Sequence, residues 1–214
     1  MINISKQPAP DALTQYKKQP DAEYDGPQFT PVKEVIRQQL LDEQGYLCAY
    51  CLGRLKNDRL SMKIEHWHGQ ENYPEEQLDY KNMLAVCGGN EGESPEKQHC
   101  DTKKGHLALC YHPANPNHNV AGKITYRGDG TITSNDALLN EQLENVLNLN
   151  YIRLKSNRRE VLHAVLQILN VQPGTRSTNE IRRILKVWQN RDSEGKYKEY
   201  GGIAIYYLNK KLNR

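Results

Sequence analysis

Cys48-Ala49-Tyr50-Cys51, then Glu65-His66-Trp67-His68, then Cys87, and finally His99-Cys100-Asp101 decide how this chain folds. Two thiolates separated by two residues can reach one tetrahedral ion from a single turn, and Cys87 with Cys100 can supply the other two ligands. The spacing therefore predicts a structural Zn²⁺ held by Cys48, Cys51, Cys87 and Cys100. An alternative leaves one of the four merely buried, with His99 completing the shell. The enclosed Glu, His and Asp are oxygen and nitrogen donors suited to a second, catalytic metal. Cys110 is left over and reads as a small apolar residue.

Around this stretch the chain runs to 214 residues, 37% hydrophobic, with a mean hydropathy of -0.85. Those values suit a soluble globular protein. No run approaches the roughly 18 to 20 apolar residues of a membrane span, and the start MINISKQPAP lacks the apolar centre of a secretory signal. A cytoplasmic location is expected. Reduced thiols in that compartment favour metal binding over a disulfide framework for an odd count of 5 cysteines. The net charge of +3 is unevenly spread: residues 150–214 carry 14 Lys and Arg against 5 Asp and Glu, a balance of +9, which leaves -6 to residues 1–149. A basic region beside an acidic metal region fits a protein that grips a polyanion, while a set of solvated helices is the plainer explanation.

Pro8, Pro10, Pro20, Gly26, Pro27 and Pro31 predict an extended arm over residues 1–30. Thr30-Pro31 reads as a cap with proline at the first helical position, opening a helix over about 32–44 that ends near Gly45. Tyr46 to Cys51 suits a strand turning through a zinc knuckle. Leu60, Met62 and Ile64 alternate with polar residues and predict a second strand over 60–66, one face buried. Residues 69–79 read as a loop, 80–86 as a short helix or turn, and 101–109 as a helix. Asp129-Gly130 between two short β-prone runs predicts a hairpin, and three apolar stripes beyond Ser134 predict helices, the last two parted by Pro173-Gly174. The fold class is α+β: an arm over 1–30, a zinc-stapled core over 31–110, and a hairpin with a mostly helical region over 111–214.

The order Glu65-His66, Asn82-Met83, Val86-Cys87 and Cys100-Asp101 with Lys104-Gly105 resembles the HNH endonucleases over roughly residues 46–108. Glu65 stands where Asp is usual and Asp101 where Asn or His is usual, and both remain oxygen ligands. The proline-rich start, the Leu47-Cys48-Ala49-Tyr50-Cys51 run and Cys87-Gly88-Gly89-Asn90 are similar to the retron-associated and Septu-type HNH proteins of bacterial defence. The resemblance implies a ββα-metal core and a metal-dependent endonuclease, acting on DNA first and on RNA or tRNA as the alternative. It also implies a companion ATPase of the ATP-binding-cassette type and a role against phage.

Residue by residue, the resemblance makes His66 the general base and gives Glu65 and Asp101 the catalytic Mg²⁺ or Mn²⁺. Asn82 orients the loop or the imidazole of His66, Lys104 neutralises phosphate charge, and His68 has a substrate-binding or supporting role. Zn²⁺ replaces core that so small a module cannot build for itself. Asp101 as a simple helix cap is an alternative without metal. Tyr151, Arg153, Lys155, Arg158 and Arg159 are candidates for a phosphate track. From another class comes a zinc-stabilised adaptor that binds nucleic acid or protein without cutting.

Overall fold

The computed structural model describes residues 1–58, 60–171 and 176–213, so the Pro173-Gly174 break expected between helices lies outside the described residues. The proline-rich arm contains one short helix, α1 (Asp11–Tyr16), and lies on the protein's own core. Met1, Ile4, Leu13 and Tyr16 are all buried there. Apolar residues spaced between prolines anchor the segment without requiring a long regular element.

α2 (Phe29–Gln44) starts earlier than Thr30-Pro31 suggests. Its N-cap is Gln28, in the left-handed region, and Phe29 is fully buried against the rings of Tyr16 and Tyr24, 5.1 and 4.8 Å away. That aromatic anchor sets the helix start. Pro31 falls within the first turn, where a missing N–H leaves no helical bond unmade. The helix stops at Gly45, whose φ of 58° any Cβ would resist and whose N–H bonds to the Asp42 carbonyl.

After α2 the knuckle is a tight turn held by one isolated bridge, Leu47 to Arg54, in place of the expected strand. The sheet lies elsewhere. β1 (Lys63–His66) pairs antiparallel with β2 (Met83–Val86), setting Glu65 opposite Leu84 and His66 opposite Met83. β1 is shorter than the alternation predicts, and Leu60, expected to be buried, is 94% exposed. Residues 80–86, read as a helix or turn, contain a single 3-10 turn at Tyr80–Asn82 and then β2. All of β2 is buried, so it shows no period-2 signal. Gln44 completes its hydrogen bonding: the side-chain amide donates to the Ala85 carbonyl and accepts from the Ala85 N–H, both at 2.8 Å. A buried glutamine thus serves β2 as a third strand would.

α3 (Cys100–Lys104) follows, shorter than the expected 101–109. Then come α4 (Val120–Lys123), the hairpin of β3 (Ile124–Tyr126) and β4 (Ile132–Ser134), and α5 (Ala137–Glu141), which Asp136 caps by accepting from the Leu139 N–H. One π-helical turn, Gln142–Val146, extends α5. α6 (Ile152–Asn170), α7 (Thr178–Gln189) and α8 (Gly202–Leu212) complete the chain.

One apolar core runs from Met1 to Leu154, and a second, smaller one joins α6, α7 and α8 through Val165, Leu169, Ile181, Leu185, Ala204 and Leu208. α8 also packs on β3. There Gly202 permits close contact, since a Cβ would meet the Tyr126 hydroxyl at 2.6 Å. No helix among the described residues is long and apolar enough to cross a membrane.

Candidate metal centre and active site

Three separate segments deliver the cysteines. The turn after α2 presents Cys48 and Cys51, the end of β2 leads into Cys87, and Cys100 opens α3. The insertion between Cys87 and Cys100 closes on itself where the His99 N–H donates to the Gly89 carbonyl at 2.9 Å. Gly89 has φ 56°, and a Cβ there would lie 2.0 Å from the His99 carbonyl oxygen, so only glycine fits.

The four sulfurs lie within 4.8 Å of one another, with Cys48 to Cys100 at 3.9 Å and Cys51 to Cys87 at 3.8 Å. A tetrahedron with Zn–S bonds of about 2.3 Å has S–S edges of about 3.8 Å, so the set fits a structural metal ion. Burial pushes the Cys100 thiol up, with its sulfur neighbours adding to the effect, whereas hydrogen bonds from Cys100, Cys48 and Cys51 pull Cys87 down. A bound divalent ion would favour the thiolate form of its cysteine ligands.

Its surroundings suit that charge. His99 Nδ1 lies 3.2 Å from Cys100 Sγ and 4.0 Å from Cys87 Sγ, beside the sulfur group and outside it. Arg158 is buried, donating to the Gly130 and Leu149 carbonyls, and its guanidinium interacts electrostatically with Cys51 and Cys100. This corrects the phosphate-track reading for Arg158: no phosphate meets a side chain so enclosed. Lys155 pairs with Asp129 and Arg159 with Glu160. Cys110 stays outside the cluster.

The second group forms where β1 meets α3. Glu65 is 5% exposed, and its carboxyl group lies near enough to Asp101, in the first turn of α3, to feel its charge. Tyr50, inside the knuckle, donates its hydroxyl to Glu65 Oε1 at 3.1 Å, and Lys104 Nζ lies 2.8 Å from the same oxygen. Burial, then the Asp101 carboxylate, hold the Glu65 carboxyl well above its usual range, opposed by Lys104. Lys63 Nζ stands 3.8 Å from Asp101 Oδ2 and 3.0 Å from Glu91 Oε1. Two adjacent carboxylates with few exposed atoms suit a hard divalent cation that keeps several waters. They suit a shared proton equally well.

Lys104 sits differently from the sequence reading. Its side chain is buried, bound to Glu65 and reaching the His66 carbonyl at 3.4 Å, so the ammonium does not lie at the surface where a phosphate would arrive. Lysine is almost never buried unless paired, which is why the sequence gives no hint of this placement.

His66, at the end of β1, is 6% exposed. Its Nε2 lies 2.9 Å from the Gln77 carbonyl, and Tyr24 packs edge-on against the ring at 4.6 Å. A carbonyl only accepts, so Nε2 carries the proton and Nδ1 keeps the lone pair. Burial pushes the imidazole below its ordinary value, and Lys104 and Lys33 push the same way against the Gln77 bond. His66 thus feels the charges of Lys104 and Asp101, although its ring is anchored to the loop before β2.

Asn82 fixes that loop and does not touch the imidazole of His66. Its Oδ1 accepts from the His68 N–H at 2.7 Å and its Nδ2 donates to the His68 carbonyl at 3.0 Å. The His68 ring pairs with Glu76 at 2.8 Å and stacks between Trp67 and Tyr73. Tyr24, Tyr50 and Gln77 escape sequence reasoning. Tyr50 alone had a signal, its place between two ligand cysteines.

No family model matches the chain. It is 34% identical over 84 residues to an Escherichia coli protein of retron Ec83 named as an HNH endonuclease, covering 33% of this chain and 31% of that relative. It is 24% identical over 180 residues to the Septu protein PtuB of Bacillus thuringiensis, covering 72% of this chain and 69% of that relative. The match to the retron protein thus spans about a third of that relative's length.

Proposed function

We propose that this chain, HNH- and Septu-like in sequence, is a metal-dependent endonuclease that hydrolyses phosphodiester bonds, DNA first, as an effector of anti-phage defence. The observation that carries the reading is the placement of Glu65 against Asp101, beside a histidine whose Nε2 is tied to a carbonyl. An adaptor without catalysis has no need of that arrangement. Residues 31–110 would form the nuclease unit, a zinc-stapled ββα-metal core with Zn²⁺ on Cys48, Cys51, Cys87 and Cys100.

In this reading His66 takes the proton of the attacking water at Nδ1. The Gln77 carbonyl holds the ring in the tautomer that leaves this nitrogen free, and the lowered pKa keeps it unprotonated at neutral pH. Glu65 and Asp101 would hold Mg²⁺ or Mn²⁺, which supplies charge stabilisation at the phosphate and the leaving oxygen when bound. Asn82 keeps the β1–β2 loop, and with it the Gln77 carbonyl, in place. Lys104 offsets the paired carboxylates, and Tyr50 orients Glu65.

The companion would be an ATPase of the ATP-binding-cassette type, in keeping with the Septu likeness. The contrary reading, a zinc-stabilised adaptor, draws support from the deep burial of His66 beneath Tyr24. Titrating Mg²⁺ or Mn²⁺ into dialysed protein with labelled DNA and RNA separates the two. Cleavage that needs the ion and disappears in Glu65→Gln and Asp101→Asn supports the nuclease; ion-independent silence on both substrates supports the adaptor.

A further inference from the structure

α7 carries its apolar and polar residues on opposite sides. Ile181 and Leu185 are buried in the second core with Ile184 and Trp188 packed beside them, while Asn179, Arg182, Arg183 and Lys186 are exposed. At 3.6 residues per turn those four polar positions fall within about 100° of one another around the helix. Arg182 and Lys186 stand about 6 Å apart along its axis.

The charges of this stripe have no partners, unlike most others in the C-terminal region. Lys155 pairs with Asp129, Arg159 with Glu160, Arg176 with Glu180 and Lys196 with Glu194, while Arg158 and Arg191 donate to backbone carbonyls. Arg182, Arg183 and Lys186 have no hydrogen bond or ion pair among the described residues. Glu180, the one acid in α7, is taken up by Arg176 and the Ser177 cap.

The stripe leads into open space. At the C-terminal end of α7 a cavity of about 710 Å³ is lined in part by Lys186, Lys198, Arg54 and Glu199. A neighbouring cavity of about 620 Å³ shares Arg54 and Glu199 and extends to Arg153, Cys51, Cys87 and Glu91. Glu91 in turn pairs with Lys63, whose Nζ is 3.8 Å from Asp101. The acids along this path are each engaged: Glu199 by Arg54, Glu91 by Lys63, and Asp192 by the Glu194 and Lys196 N–H groups. Lys186, Lys198 and Arg153 are exposed and have no carboxylate partner among the described residues.

We propose that the exposed face of α7, with Lys198 and Arg153 along the adjoining cavities, is where the phosphate backbone of a nucleic acid lies, its strand leading past the zinc cysteines towards Asp101; this placement rests on the reading that the protein handles nucleic acid. Clustered cations without counter-ions attract a polyanion, and the guanidinium forks of Arg182 and Arg183 match phosphate oxygens. Such contacts position a strand without reading its sequence.

The test uses the full chain carrying Arg182→Ala, Arg183→Ala and Lys186→Ala together, exposed changes to the best helix-forming residue. Binding of labelled duplex DNA and RNA is followed by fluorescence anisotropy over a salt series without divalent ions. The slope of log affinity against log salt should fall by about 3, about 1 for each cation, and equally on unrelated sequences. Lys17→Ala, Lys18→Ala and Lys56→Ala together remove the same charge elsewhere on the surface and should leave the slope unchanged. Arg182→Lys with Arg183→Lys should retain it. Wild type that binds neither nucleic acid, an unchanged slope in the α7 triple variant, or an equal fall in the control overturns the proposal. Polyglutamate that binds as tightly as DNA and is lost in the α7 variant assigns the face to an acidic protein and also overturns it. Nucleic acid bound through α7 but never cut in Mg²⁺ sinks the nuclease and leaves the surface standing. Cleavage with binding unaltered in the α7 variant does the reverse.

Discussion

The side-chain amide of Asn82 closes two hydrogen bonds on the backbone of His68, accepting from its N–H at 2.7 Å and donating to its carbonyl at 3.0 Å. One buried residue thereby fixes both peptide groups of the segment that follows His66. The loop carrying Gln77, the acceptor for the His66 ring, lies between these two partners in sequence. Asn82→Ala removes both bonds and should cost about 2–3 kcal/mol, from two backbone groups left without partners. Asn82→Asp keeps the acceptor and loses the donor, so in urea denaturation it should fall between wild type and alanine. An alanine variant as stable as wild type would show that the clamp holds nothing.

The sulfur cluster predicts about one tightly held zinc per chain. Cys48→Ser should lower both zinc content and melting temperature, because binding free energy at such a site is folding free energy. Elemental analysis with thermal melts checks this. Zinc-free protein that melts like the loaded form would remove the four-cysteine assignment.

Lys104 is the cation bound to the buried Glu65, beside Asp101. Lys104→Met leaves the buried Glu65 carboxyl without its cation, while Asp101 keeps Lys63, and should destabilise the fold by about 3–5 kcal/mol. Mg²⁺ should return part of that, roughly 2.7 kcal/mol at a hundred times its dissociation constant, and should stabilise wild type less. Equal response of both proteins to Mg²⁺ would mean that the carboxylates do not form its site.

Acid should weaken the fold through His112. Burial first, then Lys6 and His118, lower its pKa to about 4 in the folded state, against an ordinary value of about 6.5. Above about 6.5 both states are neutral and the contribution is fully present. As the pH falls towards 4 the unfolded chain takes up a proton that the folded one refuses, and up to about 3 kcal/mol is lost. His66 acts in the same direction. Stability measured from pH 7.5 to 4.5 should decline less steeply in His112→Asn, with acid release of zinc common to both proteins. Parallel profiles would contradict the assignment.

The sequence made some of this legible and hid the rest for identifiable reasons. Cysteine spacing is a covalent constraint that survives any uncertainty about strands, so the sulfur cluster could be read directly. Asp129-Gly130 marked its hairpin in the same way. β2 was hidden because its four residues are all buried, and a short apolar run carries no period to separate strand from helix. The expected strand over 60–66 lost Leu60 to solvent, since alternation alone cannot say where pairing begins. Lys104 reads as a surface charge until α3 turns it onto Glu65, and Gln44 reads as the polar end of a helix until it bonds to Ala85. Such placements depend on tertiary contacts between segments far apart in the chain.

If His66 is the base of a nuclease, the most direct measurement compares wild type with His66→Ala on DNA and RNA, in Mg²⁺ or Mn²⁺, with and without the proposed ATPase companion. Wild type should cut at least one substrate and His66→Ala should be slower by about 10²–10⁴-fold, at unchanged zinc content and at a temperature where both proteins are folded. Equal cleavage by both proteins would contradict the role of His66, and cleavage by neither would contradict the nuclease.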